Sequence, residues 1–91
     1  MTTPAKVQLH LIATQTIVQI KESKVNVSGA TPLFKVMELI RKKLTIPPAQ
    51  SIFLYFREFA LYPDNVVGDL VQYSPGLSEY DIYYSVSEAY G

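Results

Sequence analysis

Cysteine is absent from this 91-residue chain, and that absence removes several functions at once. No disulfide scaffold, thiolate zinc site or cysteine nucleophile can be built without it. Surplus charge is missing too, because eight Lys and Arg balance eight Asp and Glu. That balance argues against nonspecific nucleic-acid binding, which relies on many cationic contacts to phosphate. No stretch approaches the roughly 18 apolar residues that would span a membrane. Residues Met1 to Ala5 lack the apolar core of a targeting signal. A cytoplasmic protein without direct membrane insertion is therefore expected.

Catalytic signatures are equally scarce. The chain has one histidine, His10, on the polar face of a strand-like run and without an evident acidic companion. It reads as a solvated or structural side chain, since metal and acid–base sites need converging groups. The carboxylates from Glu22 to Glu88 are scattered rather than paired, and no phosphate-binding or nucleophile-elbow motif occurs. No metal, no cofactor and no enzymatic activity are expected.

What is present is the patterning of one small α+β domain. Val7, Leu9, Leu11 and Ala13 alternate with polar residues at the period of a half-buried strand. Thr14 to Thr16 read as a turn into a second strand, Ile17 to Val27, whose phase slips. Val18 and Ile20 fall on even positions but Val25 and Val27 on odd ones, so a bulge or break is expected near Glu22 and Ser23. Thr31 and Pro32 then offer an N-cap and a first helical residue. Leu33, Val36, Met37, Ile40 and Leu44 recur at helical spacing. Arg41, Lys42 and Lys43 complement the carbonyl end of that helix, with docking of an acidic partner as the other reading. Pro47 and Pro48 stop it.

Ile52 to Phe56 is almost wholly apolar, as a strand buried on both faces would be. Phe59 to Tyr62 forms a brief edge strand, and Val66, Val67, Leu70 and Val71 a short helix. Pro75 and Gly76 turn the chain into a last strand, Tyr80 to Val86. The expected order is β-β-α-β-(β)-α-β, a ubiquitin-like β-grasp. It divides into a short arm (1–5), a globular domain (6–86) and a tail (87–91). A ferredoxin-like arrangement shares much of that order.

Two features point to function. Seven Tyr and four Phe are too many to bury in so small a core, and Tyr is a preferred interface residue. Phe59 lies in the segment least committed to the core, and packing or partner contact are both open for it. The second feature is the final residue, Gly91. A carboxylate on a residue without Cβ can enter channels closed to any other terminus. Five residues from Ser87 to Gly91 reach about 17 Å when extended.

The run Phe53-Leu54-Tyr55, then Phe59-Ala60-Leu61-Tyr62-Pro63-Asp64, then Val67-Gly68-Asp69-Leu70 resembles the autophagy-related protein twelve family of ubiquitin-like modifiers. Members typically carry phenylalanine-x-tyrosine, a phenylalanine-alanine-proline-x-proline-aspartate stretch and valine-glycine-x-leucine in that order. The helix ending Ile40-Arg41-Lys42-Lys43-Leu44 and the close at Ala89-Tyr90-Gly91 match as well. The similarity covers the chain from Lys6 to Gly91. It implies a β-grasp whose terminal glycine is adenylated by an activating enzyme and carried as a thioester by a conjugating enzyme. The acceptor is a lysine of autophagy-related protein five, which is held by a coiled-coil partner. The conjugate then promotes lipidation of a second ubiquitin-like modifier by recruiting that modifier's conjugating enzyme, and so reaches autophagic membranes. By this resemblance Gly91 is the conjugated residue, while Phe59 and Lys24 contact the recruited enzyme from one face. Tyr90 packs against an enzyme groove or the acceptor, or is simply exposed.

The chain also departs from the family. Val25 stands where animal members place tryptophan, and Leu61-Tyr62 replaces proline-serine. Ser78-Glu79-Tyr80 replaces an aspartate-glycine-lysine turn, and the family's long N-terminal extension is nearly absent. A ubiquitin-fold modifier of another pathway shares the Thr-Pro helix start but ends in valine-glycine. A noncovalent β-grasp interaction domain would make Gly91 incidental. Sulfur carriers end in two glycines, and position 90 is Tyr.

Overall fold

The computed structural model describes residues 6–14 and 17–87. Its elements follow the expected order: β1 (Val7–Ala13), β2 (Lys24–Val27), α1 (Leu33–Leu44), β3 (Ser51–Phe56), β4 (Phe59–Leu61), α2 (Gly68–Tyr73) and β5 (Tyr80–Ser87). The five strands form one mixed sheet in the order β2-β1-β5-β3-β4. Strand β5 lies parallel to β1 and antiparallel to β3, and both hairpins are antiparallel. Alternation along β1 sends Val7, Leu9 and Leu11 into a core with Leu33, Val36 and Ile40 of α1. The architecture is the ubiquitin-like β-grasp.

Four expectations need correction. The stretch after the first turn is not a strand until Lys24. Side chains join it to the sheet instead, satisfying backbone groups of β1 and of the stretch itself without a ladder. Gln19 Oε1 accepts from the Ala13 N–H at 2.7 Å, and Gln19 Nε2 donates to the Leu11 carbonyl at 2.7 Å. The buried Tyr84 hydroxyl accepts from the Ile20 N–H and donates to the Val18 carbonyl, both at 2.9 Å. The chain rejoins β1 where the Leu11 N–H reaches the Ser23 carbonyl at 2.8 Å, so the break falls where the phase slip placed it.

Second, Thr31 does not cap α1. Pro32 is the cap residue, in extended conformation, and no side chain bonds to the helix start. The free N–H groups of Leu33 and Phe34 donate to the Asn65 and Pro63 carbonyls at 2.7 and 3.2 Å. A loop distant in sequence therefore caps the helix and is fixed by doing so. Third, β3 is buried on one face only: Ile52, Leu54 and Phe56 are inside while Phe53 is exposed. Helices cover one face of this sheet, so alternation returns. Fourth, β5 extends to Ser87, which pairs with Ser51, one residue beyond the expected strand end.

At its C-terminus α1 closes with Thr45 in the left-handed region, φ 54°. The Ile46 N–H bonds to the Arg41 carbonyl and the Thr45 N–H to the Lys42 carbonyl, a Schellman closure that normally uses glycine. The Arg41 guanidinium donates to the Pro47 and Gln50 carbonyls at 2.6 and 3.0 Å. One member of the basic cluster thus fastens the loop after the helix.

Two measurements check this account. Thr45→Gly should stabilise the domain by about 1 kcal/mol in urea unfolding, because a β-branched residue is strained at that φ. Tyr84→Phe should destabilise it by about 1–3 kcal/mol, since the buried Ile20 N–H and the part-buried Val18 carbonyl lose their partner. Burial pushes the Tyr84 phenol above its ordinary 10.0, partly offset by the Ile20 N–H. The folded protein then holds that proton longer than the unfolded chain, so this stability falls as pH rises past about 10. The gap between wild type and Tyr84→Phe should narrow across that range.

Candidate functional site

The sequence expectation that the aromatics exceed the core is met. Phe56, Tyr80 and Tyr84 are buried, whereas Phe59, Tyr62 and Tyr73 are 53%, 67% and 66% exposed. The last three converge. The Phe56–Phe59 pair closes the β3–β4 hairpin and sends Phe59 to the helix side of the outermost strand. Helix α2 presents Tyr73 one turn beyond the buried Leu70, and the two rings stack with centroids 5.6 Å apart at 16°. Between β4 and α2 runs a groove of about 800 Å³. Leu33, Leu61 and Leu70 form its apolar floor, and Glu58 and Asp69 its charged lining.

Backbone bonding holds that groove open. The Asn65 side chain accepts from the Tyr62 N–H at 3.0 Å, and Asp69 Oδ2 accepts from the Val66 N–H at 3.1 Å. The Val67 and Gly68 N–H groups donate to the Thr31 and Gly29 carbonyls at 2.9 and 2.7 Å. The loop carrying Tyr62 is thereby tied both to α2 and to the start of α1. Phe59 is a surface residue whose main ring contact is Tyr73.

Lys24 is elsewhere. It sits on β2, the other outermost strand, opposite His10 and across the whole sheet from β4. The structure does not bring it to the face of Phe59. Its Nζ lies 3.4 Å from Glu79 Oε2, which also accepts from Gln8 at 3.1 Å. His10 has the acidic companions its sequence context did not reveal: Asp81 at 3.4 Å and Glu79 at 3.8 Å. Parallel pairing of β1 with β5 sets Asp81 directly opposite it. The ligand atoms of His10, Glu79 and Asp81 lie within 4.8 Å of one another, the one such group among the described residues. With Lys24 already on Glu79 the arrangement is a surface polar cluster, in which the Lys24–Glu79 pair is of a kind worth up to about 1 kcal/mol.

Tyr90 and Gly91 lie outside the described residues. They follow β5, the central strand, whose final residue Ser87 pairs with Ser51 at the start of β3. Phe59 pairs with Phe56 at the other end of β3. Those two ends are about 17 Å apart at roughly 3.3 Å per residue. Sequence reasoning singled out Phe59 but missed Tyr73, Tyr62, Glu58 and Asp69 as its neighbours. A helical spacing of four links Asp69 to Tyr73, the one signal that could have placed them on a common face.

If Phe59 is a surface residue, Phe59→Ala should preserve the native circular dichroism spectrum and lower stability by only about 1 kcal/mol, the loss of a stacked exposed pair. A loss of 3 kcal/mol or more in urea titration would place it in the core.

No curated protein sequence matches the chain. The fold is similar to the crystal structure of Trypanosoma brucei ATG8, with a TM-score of 0.82 at 13% identity over 96% of this chain and 78% of that one. At that identity the likeness speaks for the fold. The family profile described as ubiquitin-like autophagy protein Apg12 matches residues 6–91, the whole span of the motifs quoted above. The chain belongs to the Apg12 family of ubiquitin-like autophagy modifiers.

Proposed function

We propose that this modifier is attached through the Gly91 carboxylate to a lysine of autophagy-related protein five, which is held by its coiled-coil partner. The attached domain then recruits the conjugating enzyme of a second, lipid-bound modifier through Phe59. Family membership supports the modifier role, and one observation supports this division of labour. The strand leading to Gly91 ends at one end of β3, and the Phe59 groove lies at the other. An acceptor held by the tail leaves the groove open.

The chemistry resides on partners. An activating enzyme joins the carboxylate to the α-phosphate of ATP and releases pyrophosphate. Its cysteine thiolate displaces AMP, and the acyl group passes to the thiolate of a conjugating enzyme. The acceptor amine attacks that thioester, expels the thiolate and loses a proton, leaving an isopeptide bond. This chain supplies an unhindered carboxylate on a short reach: four residues beyond Ser87 span about 14 Å. Tyr90 packs beside the reacting terminus, either on the enzyme groove or on the acceptor. Lys24, at the far edge, acts as a separate contact rather than with Phe59. The conjugate works in the cytoplasm and is drawn to autophagic membranes. No helix among the described residues is long and apolar enough to cross a membrane.

The test is conjugation in ATP-supplemented cell extract with wild type, Gly91→Ala and a chain lacking Gly91. Wild type alone should form a covalent adduct with autophagy-related protein five, identified by mass spectrometry as a branched glycine–lysine peptide. Equal adducts from all three, or none from wild type, would refute the attachment. Phe59→Asp should leave the adduct at wild-type level while lipidation of the second modifier falls by tenfold or more.

A further inference from the structure

The face of the sheet turned away from the helices carries a second constellation, on the ladder between β1 and β5. Leu9, Leu11, Tyr80 and Ile82 are buried in the core, so their alternate neighbours point the other way. Gln8, His10, Glu79 and Asp81 therefore share one face. His10 stands directly opposite Asp81, and Lys24 of β2 lies opposite His10 on its other side. His10 Nδ1 lies 3.4 Å from Asp81 Oδ1 and 3.8 Å from Glu79 Oε1. The three ligand atoms all fall within 4.8 Å of one another. The other oxygen of Glu79 accepts from Gln8 at 3.1 Å and lies 3.4 Å from Lys24 Nζ. That leaves Oε1 turned to the imidazole. Asp81 has no Lys or Arg partner among the described residues.

Donor type and spacing together fit one kind of ion. Tetrahedral bonds of about 2.0–2.2 Å set neighbouring ligand atoms roughly 3.3–3.6 Å apart. The 3.4 Å contact of His10 falls in that range and the 3.8 Å contact just beyond it. An imidazole nitrogen beside two carboxylates suits zinc, whereas magnesium and calcium take oxygen ligands. Two carboxylates against one ammonium also favour a further cation. Strand pairing fixes the backbone beneath the donors, so little ordering is needed on binding.

We infer that His10, Glu79 and Asp81 form a zinc site that clamps the start of β5 to β1. Nδ1, Oε1 and Oδ1 are the protein ligands, and water completes the coordination. The Gln8 amide orients Glu79 from behind, while the Lys24 charge on the same oxygen weakens the site. The site is separate from conjugation and recruitment and depends on neither Gly91 nor Phe59.

Calorimetric titration of the untagged full chain with zinc chloride tests it. One saturable site per chain is expected. Zinc at ten times its dissociation constant should raise the melting midpoint by about 5–10 °C. In proton–nitrogen correlation spectra, the amides of residues 8–10 and 79–82 should shift most. His10→Gln and Asp81→Asn should each weaken binding by about tenfold or more. Asp81 is more than half exposed, so its substitution keeps the test decisive if His10→Gln folds poorly. Lys24→Gln should tighten binding by about threefold, because a like charge beside the ion is removed. Magnesium in the same titration should give neither heat nor shift. No saturable zinc binding would overturn the inference, as would affinity unchanged in Asp81→Asn or weakened in Lys24→Gln. Magnesium binding as tightly as zinc would overturn it too. Shifts centred on the chain ends would assign the ion to terminal groups and overturn it equally.

Discussion

Parallel pairing of β1 with β5 is the contact on which this molecule depends. It joins Leu9 to Tyr80 and runs to Ala13 opposite Tyr84, so the ordered chain closes on itself across some seventy residues. Without it the sheet separates into the β1–β2 hairpin on one side and the β3–β4 hairpin on the other. Closing so long a loop is entropically unfavourable, though the penalty grows only slowly with length. Leu9, Leu11, Ile82 and Tyr84, all at the bottom of the exposure range, supply the compensating burial. The same pairing lets the Tyr84 hydroxyl reach residues 18 and 20, and it creates the His10–Asp81 contact.

Placing the last strand in the middle of the sheet has a mechanical consequence. A load applied to the C-terminal tail is borne by two ladders, against β1 and against β3, rather than by a single edge. A modifier that is pulled by its tail therefore resists unzipping. The β4–α2 groove depends on different bonds: the loop after β4 caps α1 through the Asn65 and Pro63 carbonyls. The end of β5 and the groove share β3 but meet opposite ends of it.

Much of this was legible in the sequence, and the exceptions have a common cause. Local period gave β1, α1, the α2 face and the final strand, because each buries one side of a regular element. The phase slip before Lys24 correctly marked a break. What it did not reveal was that Gln19 and Tyr84 would replace the ladder with side-chain bonds, since Tyr84 lies more than sixty residues away. Thr31-Pro32 looked like a local cap, yet the donors were satisfied by a distant loop. The apolar run of β3 suggested burial on both faces, but apolarity alone does not count the layers that cover a sheet. Phe59 was visible as a candidate from its neighbours in sequence. Its partner Tyr73 was not, for the β4–α2 contact is tertiary.

The acidic lining also bears on why so exposed a set of rings stays available. A symmetric dimer through the groove would bury Phe59, Tyr62 and Tyr73 against their copies, a gain of several kcal/mol by area. Two-fold symmetry would also bring each Glu58 and Asp69 toward the same acidic pair on the other copy, with Asp64 in the adjoining turn. Like charges brought together as water is excluded oppose association by amounts comparable to that gain. The chain as a whole carries no net charge, so long-range repulsion cannot do this; only the local placement can. Carboxylates at the groove thus discourage a second copy while leaving the rings exposed. Removing them would relax that discrimination, which ties the availability of the groove to its local charge.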